Sequence, residues 1–323
     1  MKRNKKTYAL YALLLAALLV LPLFIASRYV MTLVDQVLIF VVAVLGLNYI
    51  TGLSGENNMG MAGIFAIGAY TSAIFTQRTG LSPFLGMLLA IVVGLLIGQL
   101  LGRPSLRVRG IYLALTTMMF GEVVRLLINN LVDLTGGSTG MRNIPRFVVF
   151  GTELKMEQQQ YYIYLAVCIL SIIISNFVVG GRWGREFQAI RDNVDGVESC
   201  GIHVSRVKIT AFSLCAVFGC LGGAMYAHLM GYITPTVFDS DFMVKFFMML
   251  MLGGIGSVPG AIFGAFVVVM LPEALRFLGD YYWLIFSIIM LLFILFCPYG
   301  IASLFAKFRQ WIYGRKHSTE KGV

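Results

Sequence analysis

Charge is what this chain has least of. Of its 323 residues only 12% are Asp, Glu, Lys or Arg, while 59% are hydrophobic. A soluble globule of this size needs more polar surface than that, so the mean hydropathy of +0.84 reads as a polytopic membrane protein. No Gly-x-x-x-x-Gly-Lys-Ser/Thr stretch occurs, which excludes P-loop handling of ATP phosphates by this chain. His203, His228 and His317 are dispersed without ligand-spaced companions, and read as interfacial or surface side chains rather than catalysts. The five cysteines (Cys168, Cys200, Cys215, Cys220, Cys297) are odd in number, four lie in apolar runs, and no Cys-x-x-Cys is present. Neither a disulfide framework nor a metal site is indicated. Acidic residues are the scarcer sign, 15 against 25 Lys and Arg. The excess of +10 does not point to nucleic acid, because the basic residues are spread between apolar segments and at the termini.

What the chain does have is apolar runs of spanning length. The first, Tyr8 to Ala26, follows Lys2, Arg3, Lys5 and Lys6. It is close to the roughly 20 residues a bilayer needs and lacks a small-x-small cleavage site, so it reads as a retained anchor. Further candidates are Thr32 to Ile50, Met59 to Thr76, Phe84 to Leu101, Gly110 to Val132, Tyr161 to Val179, Ile209 to Met230, Phe242 to Ile255, Gly260 to Leu278 and Tyr281 to Cys297, ten in all. The expected fold is therefore an all-α membrane protein of about ten transmembrane helices. A basic terminus, 1–7, precedes a membrane domain, 8–298, and a second basic terminus, 299–323, follows it.

With both termini inside, most of the 25 Lys and Arg fall on inner segments, including Arg103, Arg107 and Arg109, Arg182 to Lys208, and Lys307 to Lys321. That is the positive-inside asymmetry, and it places segment 181–208 in the cytoplasm and segment 133–160 outside. Tyr161, Tyr162 and Tyr164, and Tyr281, Tyr282 and Trp283, begin spans on the outer side as interfacial aromatics do; packed rings are the alternative.

Gly184 to Ile202 is the densest cluster of charge. Phe187, Ile190, Val194 and Val197 fall at helical spacing, with Glu186, Arg191, Asp192, Asp195 and Glu198 between them, so a short amphipathic helix outside the bilayer is expected. Either it docks a soluble partner, with the Arg191-Asp192 pair setting orientation, or it rests on lipid headgroups. Gly184 and Gly201 bracket it.

Small residues recur at packing spacing (Gly94, Gly98, Gly102; Gly219, Gly223; Gly260, Gly264), which lets helices in lipid approach closely. Two glycine-rich breaks, Gly52 to Gly63 and Gly253 to Gly260, each interrupt an apolar region before a new span. They are either broken helices lining a pathway, which makes Gly60, Gly63 and Gly256 candidate path residues, or tight turns. Glu122 and Arg125 lie mid-span at i, i+3 with Asn129 continuing their side. They either neutralise one another or line a path for a zwitterionic solute. Glu273 and Arg276 repeat the spacing near an outer span end, where snorkelling suffices.

Several stretches then carry a resemblance: Ala189-Ile-Arg-Asp192 with Gly201-Ile202, Gly60 to Tyr70, Arg107 to Thr116, Phe120 to Arg125, Leu134 to Gly140, and Gly253 to Gly260. In order and spacing they resemble the branched-chain amino acid permease family of ABC importers, in its LivM-like branch, over nearly the whole chain from the second span onward. One departure is Glu56-Asn57-Asn58, where the family pattern is more neutral.

The resemblance implies a transport subunit and no enzyme. Its partners would be a homologous second permease, two ATPase subunits that bind ATP and Mg, and an extracytoplasmic solute-binding protein received by segment 133–160, all in or at a bacterial inner membrane. The chain itself would bind no cofactor. Segment Gly184 to Ile202 would be the coupling helix, its apolar stripe lying in an ATPase groove, with Gly184, Phe187, Ile190, Arg191, Asp192, Val194 and Gly201 as coupling residues. The substrates implied are leucine, isoleucine and valine, with urea or short amides as the alternative. An ion-driven transporter is the remaining competitor, and the poverty of mid-span carboxylates argues against it.

Overall fold

The computed structural model describes residues 27–296 apart from Arg109, Phe150–Gly151 and Leu154–Met156, together with Leu19 and Pro22. The expected first span and both basic termini lie outside the described residues, but for Leu19 and Pro22.

Besides the single turn Val132–Thr135, eleven helices organise the described chain: α1 (Arg28–Leu47), α2 (Met61–Thr79), α3 (Pro83–Gly102), α4 (Ile111–Asn130), α5 (Glu157–Gly180), α6 (Arg182–Asp192), α7 (Val194–Ser199), α8 (Val204–Met230), α9 (Ser240–Gly253), α10 (Val258–Ala274) and α11 (Tyr282–Phe296). The described strands are a two-residue antiparallel pair, β1 (Val148–Val149) on β2 (Thr152–Glu153). Among the described residues, five helical stretches are long and apolar enough to cross a membrane: Arg28–Ser54, Pro83–Leu106, Ile111–Asn130, Gln160–Gly180 and Val204–Met230. The chain is a multi-pass, all-helical membrane protein.

The core gathers on α8, which packs against α1, α2 and α3. Small residues make this possible. A Cβ at Gly94 or Gly98 would strike the α8 backbone at Ala216 or Ser213, and one at Gly223 would overlap the Phe65 carbonyl of α2. The glycine spacing read from the sequence is thus a set of helix seams, held by van der Waals contact where lipid supplies no hydrophobic drive. Phe65 sits among Phe40, Tyr226, Phe238, Phe242 and Phe246, edge-on or tilted, the arrangement ring quadrupoles favour. Tyr29, at the start of α1, donates to Glu273 and accepts from Arg276, so that pair is bonded across the bundle rather than merely snorkelling.

Three expectations need correction. The span expected over Phe242 to Ile255 is α9, only 14 residues long. At 1.5 Å per residue it rises about 21 Å, short of the roughly 30 Å hydrocarbon core. Its start is fixed within the bundle, where the Asp239 carboxylate caps Phe242 N and Phe238 is buried; Gly254, at φ 110°, ends it. The single helix expected over Gly184 to Gly201 is two. Asn193 adopts an extended conformation (φ −159°), ending α6, and its side chain accepts from Gly196 N to begin α7. His228 is not a surface side chain: it is fully buried, bonded to Ser72 Oγ and to the Pro145 carbonyl, both at 2.7 Å.

Candidate functional site

The first candidate region is the end of the bundle where α6 sits. After Leu47 the backbone of α1 widens into a π-helical stretch, Asn48–Ser54, with all seven residues buried, and stops at Gly55 with φ +72°. Single π turns inside helices are frequent at functional sites. The chain then folds back. Asn58, 1% exposed, accepts from Gly60 N and donates to Cys215 Sγ; Thr117 of α4 accepts from Met59 N at 2.9 Å. Glu56 pairs with Lys208 at the head of α8, whose side chain is 3% exposed. The unusual Glu56-Asn57-Asn58 sequence thus has structural partners: a buried carboxylate tolerable only because a buried ammonium faces it, and an amide that closes the turn. A lone Lys at the head of an apolar span was the available signal, but nothing in the sequence identifies its partner.

The two glycine-rich breaks meet here. Asn48 Oδ1 accepts from Gly256 N at 2.9 Å, and a Cβ on Gly52 would stand 2.8 Å from that same nitrogen. Helix α6 lies against this junction. Phe187 and Ile190 are buried, and Gly184 approaches the last turn of α5 so closely that a Cβ would overlap the Val179 carbonyl. The apolar stripe expected to fill a partner's groove is therefore covered by this chain's own body. What α6 and α7 leave outward is polar: Gln188, Asp192, Asp195 and Glu198 are exposed, with Trp183 beside them, while Arg191, exposed along part of its length, reaches back to the Gly52 carbonyl. Glu186 is held by Arg182 at 2.6 Å. Val194, now at the start of α7, is half-buried, and Gly201 is exposed with φ +78°.

The second region is the α2–α4 seam. Gly63 faces Gly121 backbone to backbone, and Gly60 faces the Thr117 carbonyl, so both expected path glycines are buried in helix contacts. Glu122 and Arg125 are paired on α4, with Arg125 Nε at 3.1 and 3.0 Å from the two carboxylate oxygens, and both remain partly exposed. Asn129, one turn on, is half-buried. Beside Glu122 lies a cleft of about 10 Å³, room for a single water, lined by Met59, Gly121, Glu122, Phe238, Asp239 and Ser240. Asp239 acts weakly and electrostatically on Arg125. Sequence spacing misses Asp239, which lies on the short α9 cap, and likewise Asp35, fully buried in α1 near Tyr161 and Tyr164 of α5. Glu122, Gly60 and Gly63 are thus brought to one seam, whereas Gly256 belongs to the α6 end. Among the described residues no cluster of His, Cys, Asp or Glu could hold a metal ion.

Comparison with known proteins agrees with this architecture. The family described as "Branched-chain amino acid transport system / permease component" matches residues 29–295. The high-affinity branched-chain amino acid permease LivM of Salmonella typhimurium is 32% identical, over 90% of this chain and 74% of its own length, and LivM of Escherichia coli K12 is matched to the same extent. LivH of Salmonella typhimurium, a permease protein of the same kind of system, is 24% identical over 69% of this chain and 77% of its own length. No solved structure matches. With the family matched from the first described helix to the last, the chain belongs to the branched-chain amino acid permease family.

Proposed function

We propose that the chain is one permease subunit of an ATP-driven importer in a bacterial inner membrane, forming half of a path for leucine, isoleucine and valine delivered by an extracytoplasmic binding protein. The observation that carries the reading is α6: a charged helix outside the spans, apolar side seated on the permease and polar side outward, bonded to the interruption of a spanning helix. Such an element transfers force between a soluble partner and a membrane bundle. ATP and Mg belong to two separate ATPase subunits, since this chain has no phosphate-binding loop. A homologous permease supplies the other half of the path.

On this reading the coupling group is Gly184, Phe187, Ile190, Arg191, Asp192, Val194 and Gly201. The buried members seat α6, and Asp192, with Asp195 and Glu198, offers an acidic face to a basic groove. The positive-inside asymmetry, with Arg182, Arg185, Arg206 and Lys208 all in segment 181–208, puts that face in the cytoplasm. Glu122, Arg125 and Asn129 are the polar members of the path, with the glycines at 60, 63 and 256 setting helix separation. A bundle with so few charges suits a small solute of zero net charge. Apolar walls separate solutes differing by a methylene by only about 1 to 3 kcal/mol, so selectivity resides chiefly in the binding protein.

The test is ATP hydrolysis and uptake by the complex reconstituted with its own binding protein, comparing leucine with urea. Stimulation by leucine is expected. Stimulation by urea alone overturns the substrate, and uptake by this chain without ATP overturns the importer reading altogether.

A further inference from the structure

Arg191 was expected to face a partner, yet its side chain turns toward the membrane bundle. Its Nη1 donates to the Gly52 carbonyl at 3.1 Å. Its stem crosses Gly55, where a Cβ would lie 2.8 Å from Arg191 Cγ, and where φ +72° already favours glycine. Gly52 is the same residue that meets Gly256, through backbone approach and through Asn48. Three segments far apart in sequence therefore converge on one peptide group. They are the end of α6, the π-helical end of α1, and the turn between α9 and α10. The seat of α6 on its other side is apolar, through Phe187 and Ile190, and an apolar seat resists separation better than sliding. The guanidinium bond is directional and charge-assisted, so it is the contact that fixes the position of α6 along the surface.

The geometry points to Arg191 as a positioning residue that carries displacement of α6 into both glycine breaks at once, instead of a contact to the ATPase; this rests on the reading that α6 meets an ATPase. Glycine makes both ends of the linkage compliant. The break at 52–55 begins and ends on glycine, with the buried Leu53 and Ser54 between, and the turn at 254–256 holds two glycines at positive φ. When α6 moves, the Gly52 peptide follows, and Gly256 follows Gly52. The inner ends of α1, α9 and α10 then shift together. The neighbouring Glu56–Lys208 pair anchors the far side of the same loop to α8, so the displacement is concentrated in the glycines.

Two measurements on the full chain test this. The first needs no partner: backbone hydrogen exchange of the purified protein in lipid nanodiscs, comparing wild type, Arg191→Lys and Arg191→Met. Loss of the guanidinium bond should raise exchange by about tenfold at 50–58 and at 254–257, with α8 unchanged, and Lys should recover part of the protection. Unchanged exchange at 254–257 overturns the proposal, as does a rise confined to 182–202. A rise that includes α8 makes Arg191 a general stabiliser and overturns it too. The second uses the assembled transporter. Arg191→Met should retain ATPase co-purification at the wild-type level while solute moved per ATP falls about tenfold; lost co-purification makes Arg191 a docking contact and overturns the proposal, and so does an unchanged ratio. If the wild-type chain assembles with no ATPase, the proposed function fails, while the exchange measurement still judges the linkage.

Discussion

Lys208 and Glu56 show how a single ion pair can decide whether a loop stays folded. With the ammonium 3% and the carboxylate 12% exposed, removing one partner strands the other in a low-dielectric site. Lys208→Met should therefore destabilise the protein by about 3 kcal/mol, read as a lower melting temperature in detergent. The double change Lys208→Met with Glu56→Gln should recover most of the loss, because replacing both charges removes the desolvation cost along with the attraction. A single variant that melts with the wild type would show that water reaches the pair. At this scale the sequence is legible in part. The small residues on α3 and α8 announce close packing because their spacing is local to one helix. Glu56–Lys208, Asn48–Gly256 and Arg191–Gly52 are not announced, because each joins residues that only the folded topology brings together. His228 was misread for the same reason: its partners Ser72 and Pro145 come from other segments.

Helix α6 separates two roles that one amphipathic pattern seems to merge. Phe187 lies fully buried against the permease, so Phe187→Ala should cost about 3 to 5 kcal/mol and lower the melting temperature of the isolated chain. Asp192 is exposed, and Asp192→Lys should leave melting unchanged while reducing the ATPase recovered with the permease, since reversing an exposed interface charge acts mainly on association. Equal loss of stability from both changes would refute the division of faces. The existence of α6 was readable from its 3.6-residue period; which side is covered was not, because the period gives a stripe and not its neighbour. The break at Asn193 had a readable cause, an N-cap residue before the short run that forms α7. The shortness of α9 was legible in its run, since Phe242 to Ile255 is already short of a bilayer; apolar composition alone makes so short a buried helix look like a span.

Taken whole, the molecule makes a topological prediction. Thr139 and Ser199 are both exposed, and the one spanning helix described between them, Gln160–Gly180, sets them at opposite ends. In a background with Cys200 and Cys297 replaced by Ser, Thr139→Cys should react with an impermeant thiol reagent added outside intact cells, and Ser199→Cys only after the membrane is opened. Cys168, Cys215 and Cys220 are buried and should stay silent. Labelling of Ser199→Cys from outside sinks the topology. The position of α8 has a further consequence, for biogenesis. The helices it holds together, α1, α2 and α3, are all translated before it. Glu56 leaves the ribosome about 150 residues ahead of Lys208, roughly 10 to 30 s at ordinary elongation rates. Throughout that interval the early helices carry open glycine grooves and an uncompensated carboxylate. The nascent protein must therefore wait in the insertion machinery, its first hairpins unsealed, until α8 arrives to close them.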